Sequence, residues 1–144
     1  MQFGLTRIGK PDDAPELARL LTELGHPSTP EEIAVSWSDW FREGNRAFVA
    51  ETSASKLDGV ITVHVMRVLH RRQPVGRITA LIVDPAARGR GIGQALVVAA
   101  ESFLRQHGCG LIEITSNDRL TDAHAFYRHF GYERTGIRLA KKID

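Results

Sequence analysis

The stretch that decides the reading is "IVDPAARGRGIGQALVVAAESFLRQHG", residues 82–108. Apolar residues lead into Pro85, glycines alternate at Gly89, Gly91 and Gly93, and an apolar pattern at helical spacing runs on to Gly108. The order is strand, loop, helix. The first amides of a helix have no partner within it and point outward, where the helix dipole adds positive potential. Glycines let a ligand approach the backbone, and Arg88 and Arg90 add charge and bidentate donors. Such a loop suits an anion, above all a phosphate.

Two common phosphate loops do not fit. A Walker-type loop needs Gly-Lys followed by Ser or Thr, whereas Gln94 follows Gly93. A dinucleotide fingerprint counted from Gly89 needs a glycine where Gln94 stands.

Upstream of the loop, "FGLTRIG" (3–9) reads as a first strand and "KPDDAPELARLLTELGH" (10–26) as a helix. Asp12 or Asp13 can cap that helix, leucines at 17, 20, 21 and 24 give it an apolar face, and Gly25 stops it. Thr29, Pro30 and Glu32 form a capping box for a second helix, with Ile33, Trp37, Trp40 and Phe41 on its apolar face and Gly44-Asn45 at its end. "RAFVAET" (46–52) is a strand, "SASKLDG" (53–59) a polar turn, and "GVITVHVMRVLH" (59–70) a long strand rich in β-branched residues. "VGRITALIVDP" (75–85) is the strand that feeds the loop. After the long helix come a strand, "GLIEITS" (110–116), a helix, "TDAHAFYRHFG" (121–131), and one or two closing strands, "YERTGIRLAKKI" (132–143). The order is β-α-α-β-β-β-α-β-α-β. Its one clear β-helix-β unit makes the fourth and fifth strands parallel, and the hairpins are antiparallel. The expected fold is α/β: a mixed, mostly antiparallel sheet with helices on both faces.

The 144 residues fit one domain, 1–144, and the 42% hydrophobic content is ordinary for a globular protein. A net charge of +2 suits anionic ligands but does not argue for nucleic acid, and no basic stripe interleaved with aromatics appears. The single cysteine, Cys109, forbids an internal disulfide, and the start of the chain lacks the apolar segment of a signal peptide. No apolar run approaches the ~20 residues of a membrane span. A cytoplasmic protein without membrane or nucleic-acid partners is expected. The histidines and Cys109 lack metal-ligand spacing, so no metal is expected, and no G-x-S-x-G elbow suggests a serine hydrolase.

Arg88-x-x-Gly91-x-Gly93 after "IVDP" resembles the acyl-coenzyme A signature of the GNAT superfamily of N-acetyltransferases. The resemblance extends to the element order, the long helix, and "AFYRHFGYERTG", where family members carry a tyrosine followed by Gly-Phe or Gly-Tyr. It implies acetyl-CoA as cosubstrate, with the pyrophosphate on the backbone of Gly89, Arg90, Gly91, Ile92, Gly93 and Gln94, assisted by Arg88. It implies that the pantetheine arm pairs with the fourth strand at Leu81, Ile82 and Val83. Tyr127 matches the tyrosine near the sulfur and is the expected catalytic acid. Asn117 is expected to touch the coenzyme, although the usual spacing would land on Leu120.

The implied reaction is acetyl transfer to a primary amine of a small molecule or peptide, by direct attack in a ternary complex. A coenzyme-binding sensor or regulatory module of the same fold is the alternative, because the glutamate many relatives carry near Thr79 is missing. His64, Glu51, His70 and Glu113 are candidate bases, with escape of the proton through water as the other route. His124 either faces the cofactor or lies on the surface. Trp37 and Trp40 either wall the acceptor pocket or belong to the core. The arginines at 67, 71, 72 and 77 either attract an anionic substrate or are solvated turn charges. The last strands offer an edge for a homodimer.

Overall fold

The structure, a computed structural model, describes residues 6–53, 55–115 and 121–143. The chain divides into two compact units, 1–113 and 114–144. The first holds strand β1 (Thr6–Ile8), helices α1 (Ala14–Leu24) and α2 (Pro30–Arg42), strands β2 (Asn45–Ser53), β3 (Lys56–Met66) and β4 (Val75–Val83), helix α3 (Ile92–Gln106) and nearly all of β5 (Leu111–Ile114). The second holds α4 (Thr121–His129).

The strands lie side by side in chain order, β1-β2-β3-β4-β5. The pairs β1–β2, β2–β3 and β3–β4 are antiparallel. At the start of β5 the Gly110 amide donates to the Pro74 carbonyl at 3.0 Å, and three residues further along both chains Arg77 pairs with Glu113. The two strands thus advance together, as the βαβ unit requires.

Alternation along the strands sorts side chains to two faces. A Cβ built on Gly76 would lie 2.7 Å from Leu104, and one on Gly59 3.0 Å from Leu96, so these positions face α3 at close range. Leu96, Val97, Ala100 and Leu104 of α3 are fully buried, as are Ile61, Val63 and Ile78 of the sheet. On the other face Val49, Val60 and Ile82 join Leu17 and Leu20 of α1 in one apolar cluster. Burying each such leucine contributes roughly 1.5–3 kcal/mol. Trp37 and Trp40 pack against this cluster with ring centroids 5.0 Å apart, so of the two readings of the pair the structure supports core packing.

Several local expectations need correction. The first helix opens with a short 3₁₀ turn, Pro11–Asp13, before α1. Asp13 sits at the cap position but turns its carboxylate backward, accepting from the Lys10 amide at 2.9 Å and from Arg7 at 2.8 and 2.9 Å. The β2–β3 turn is tighter than 53–59, because Leu57 is 2% exposed and draws its flank into the sheet. At the other end β3 stops at Met66, where the sequence turns to arginines and Leu69 stays exposed. The capping box of α2 forms as expected, Glu32 N donating to Thr29 Oγ1 at 3.1 Å and Thr29 N to Glu32 Oε1 at 3.2 Å.

The closing strand is not formed. Among the described residues none from 132 to 143 is in a strand. Apolar residues alternate with charges there, but Ile137, Leu139 and Ile143 remain 73%, 85% and 92% exposed. An alternating pattern makes a strand only when a neighbour pairs with it and covers its apolar side. The edge expected to carry a homodimer is therefore absent as a strand.

Candidate active site

The anion loop grows from the end of β4. Asp84 donates its amide to the Asp58 carbonyl at 2.8 Å, and its carboxylate accepts from the Ala86 amide at 2.9 Å. A short 3₁₀ turn, Pro85–Ala87, follows and ends in extended backbone at Arg88. Gly89 and Gly91 have φ of 82° and 78°, the left-handed region that glycine enters without strain. Gly91 is the N-cap of α3, and the first intrahelical bond runs from the Ala95 amide to the Gly91 carbonyl at 3.0 Å. The amides of Ile92, Gly93 and Gln94 precede that bond and have no acceptor within the helix. A Cβ on Gly89 or Gly91 would meet no atom within 4 Å, so the space above both is open. Arg88 and Arg90 are exposed beside it. The side chains of Ile82 and Ile92 are buried in the core, leaving only their backbone to a ligand.

A clamp unseen in the sequence holds this loop. Arg19 of α1 donates to Asp84 Oδ2 at 2.8 Å, to the Leu57 carbonyl at 2.9 Å and to both Glu16 oxygens at 3.0 Å. Glu16 in turn accepts from the Leu57 amide at 2.9 Å. The Ala86 amide and then Arg19 hold the Asp84 carboxyl below its ordinary value, and Arg19 does the same for Glu16. The only hint in the sequence is Glu16 three residues before Arg19, a spacing common on solvated helices.

β4 is irregular just before Leu81. Thr62 pairs with Ala80 but Val63 with Ile78, so Thr79 is an extra residue, a β-bulge. Its hydroxyl lies 2.6 Å from that of Thr62. Leu81, Ile82 and Val83 pair with Ile61, Val60 and Gly59. β5 ends one residue after Glu113, whereas β4 runs six residues past Arg77. Among the described residues, β4 thus runs past the end of β5 at 81–83.

The candidate bases separate. Glu51 is held by Arg7 at 2.7 Å, and the same arginine grips the buried Asp13, so Glu51 belongs to a structural ion cluster. Glu113 pairs with Arg77 at 3.0 Å. His64 stands across from Arg77 in the β3–β4 register, and His70 is exposed on the hairpin.

In the second unit, Tyr127 lies in α4, half-buried among Phe126 and Tyr132, with centroids at 5.6 and 6.2 Å. Burial pushes its phenol above the usual tyrosine value, so it holds its proton throughout the physiological range. His124 is half-buried on the same helix. Asn117 and Leu120 lie outside the described residues. The structure therefore brings Leu81–Val83 and Arg88–Gln94 together in the first unit, with Tyr127 in the second.

This loop joins β4 of the mixed sheet to α3. The acetyltransferase (GNAT) family matches residues 14–132, and the chain belongs to that family. An aminoalkylphosphonate N-acetyltransferase of Salmonella typhimurium is 38% identical over 85 residues, covering 59% of this chain and 55% of the relative. A mycothiol acetyltransferase of Nocardia farcinica is 32% identical over 143 residues, covering 94% of this chain and 46% of the relative. The chain thus spans about half the length of these curated relatives. A Trypanosoma brucei acetyltransferase shares the fold with a TM-score of 0.84, covering 96% of this chain and 98% of that one, at 22% identity. Among the described residues no helix is long and apolar enough to cross a membrane, and no group of three metal-ligating side chains occurs.

Proposed function

We propose that the chain is a single acetyltransferase domain that transfers an acetyl group from acetyl-CoA to a primary amine. The observation that carries this is the loop from Asp84 to Gln94, with left-handed glycines opening α3 directly after β4. The backbone of Gly89–Gln94 holds the pyrophosphate, with Arg88 and Arg90 flanking it, and the pantetheine arm pairs with the backbone of Leu81–Val83. Asn117 is a further coenzyme contact by family resemblance alone.

The amine nitrogen attacks the thioester carbonyl carbon, and a β4 amide near Leu81–Val83 supports the oxyanion. Collapse breaks the C–S bond, and the departing thiolate takes the Tyr127 proton. The amine's spare proton leaves to water or to a nearby base. Holding both reactants in one site supplies much of the rate. No metal takes part in this scheme.

The test is release of free thiol from acetyl-CoA across a panel of amines, with calorimetric titration of coenzyme A alongside. Gly91→Val places a branched side chain at a φ of 78°, which such residues rarely adopt, and should weaken coenzyme binding more than Arg90→Ala does. Wild-type binding by Gly91→Val would remove the loop from the site. Binding without thiol release from any amine would leave a coenzyme-binding module instead of an enzyme. We further propose a homodimer that hides the exposed tail residues Ile137 and Leu139. Light scattering should then give twice the 16.0 kDa chain mass at micromolar concentration, and a monomer mass would reject the dimer.

A further inference from the structure

The β3–β4 hairpin carries an unbalanced charge. Residues 59–83 include four arginines and two histidines but no aspartate or glutamate. Arg67, Arg71 and Arg72 are exposed, and among the described residues no ion pair reaches them. Arg77 meets one carboxylate, Glu113 of β5, at 3.0 Å, with the two side chains 44% and 41% exposed. Ion pairs this open to water contribute little, because solvation competes with them and long side chains lose freedom in making them.

The pair lies at a particular place. Gly76 and Ile78 turn toward α3, so Arg77 between them points to the opposite face, the one on which α1 and α2 pack. The apolar cluster on that face reaches along the sheet as far as Ala47, whose β3 partner is Thr62. Next along the face comes a polar stretch, bounded on its far side by Met66 and the buried Val75. His64 stands directly across from Arg77, and the hydroxyls of Thr62 and Thr79 meet at the bulge that precedes Leu81. A cation and an anion therefore stand side by side on a half-exposed patch, next to the strand segment that takes the acyl donor in the reading above.

We infer that this patch is the acceptor subsite, and that the acceptor is an amine which also carries an anionic group. A zwitterion offers each member of the Arg77–Glu113 pair a new partner. Arg77 takes the anion with its planar fork, in the field of Arg67, Arg71 and Arg72. Glu113, released from Arg77, accepts a hydrogen bond from the amine. Ligand and protein then exchange ion pairs, and neither side chain is left unpaired. Phosphate, phosphonate and carboxylate all meet this requirement. The inference rests on the acyltransfer reading of the same sheet.

The experiment compares thiol release with matched amines: aminomethylphosphonate, O-phosphoethanolamine and β-alanine against ethylamine and ethanolamine. The best anionic amine should exceed its neutral counterparts by about tenfold or more in kcat/KM, the scale of one charge-assisted hydrogen bond. Arg77→Gln should bring that ratio close to one, chiefly through KM, and Arg77→Lys should restore part of it. A preference for the phosphorus oxyanions or for the carboxylate supports the inference alike and fixes the anion. Neutral amines turning over as well as anionic ones would overturn it while leaving the acetyltransferase reading intact. So would an Arg77→Gln variant that slows both kinds equally. No thiol release with any of these amines would end both readings together.

Discussion

Tyr127 was legible as a residue because the motif around it, "AFYRHFGY", stands out in the sequence. Its chemistry follows from its surroundings. Burial raises the phenol pKa above its usual ~10, so the proton stays on the phenol at neutral pH. Phenylalanine at 127 preserves the ring contacts with Phe126 and Tyr132 but removes the proton. Tyr127→Phe should bind acetyl-CoA nearly as wild type and lose ~10²–10⁴-fold in turnover, the usual range for one acid–base group. Equal turnover would reduce Tyr127 to packing, and weakened binding with intact turnover would make the hydroxyl a sulfur-side contact. Asp84 was visible only as part of the "IVDP" that ends the strand. Its partner Arg19 was not visible at all, since the two stand 65 positions apart and no local spacing joins them.

Elements with a strong local cause were read well. Thr29 and Glu32 fix the start of α2, and Gly25 (φ 102°) and Gly108 (φ 77°) stop α1 and α3. Elements that depend on a neighbour were read less well, as the missing last strand and the bulge at Thr79 illustrate. Two ion clusters now tie elements that the sequence treats separately. Arg19→Met should loosen the turn after β4 and raise the Kd for coenzyme A without touching the ligand. An unchanged Kd in calorimetry would confine the clamp to stability. In the second cluster, burial pushes the Asp13 carboxyl up, but Arg7 and the Lys10 amide outweigh it and hold the carboxyl below its ordinary value. The folded state then prefers the ionised form. Its contribution is present above the unfolded pKa of ~4 and is lost as pH falls through the lower folded value. Asp13→Asn should therefore lower Tm at neutral pH, and the gap to wild type should narrow on acidification toward about pH 2. A constant gap in thermal melts across that range would show that the Asp13 charge does not contribute.

At the scale of the molecule, the sequence revealed the strand–helix order through period and punctuation, and the family through one loop. It did not reveal which charged residues meet, because ion pairs between distant elements leave no periodic trace. The order of strands in the sheet has a further consequence. β2, β3 and β4 occupy residues 45–83 without interruption, and each pairs with the strand made just before it. A nascent chain leaving the ribosome would release these strands in the order in which they zip together. Hairpins of this kind close in about 1–10 μs, far faster than residues are added at ~5–20 per second. The meander that carries both Leu81–Val83 and Arg77 can thus be assembled before α3 is synthesised. The helix that opens on this loop then condenses onto a sheet already waiting for it, and until it does the face that carries Ile61, Val63 and Ile78 stays uncovered.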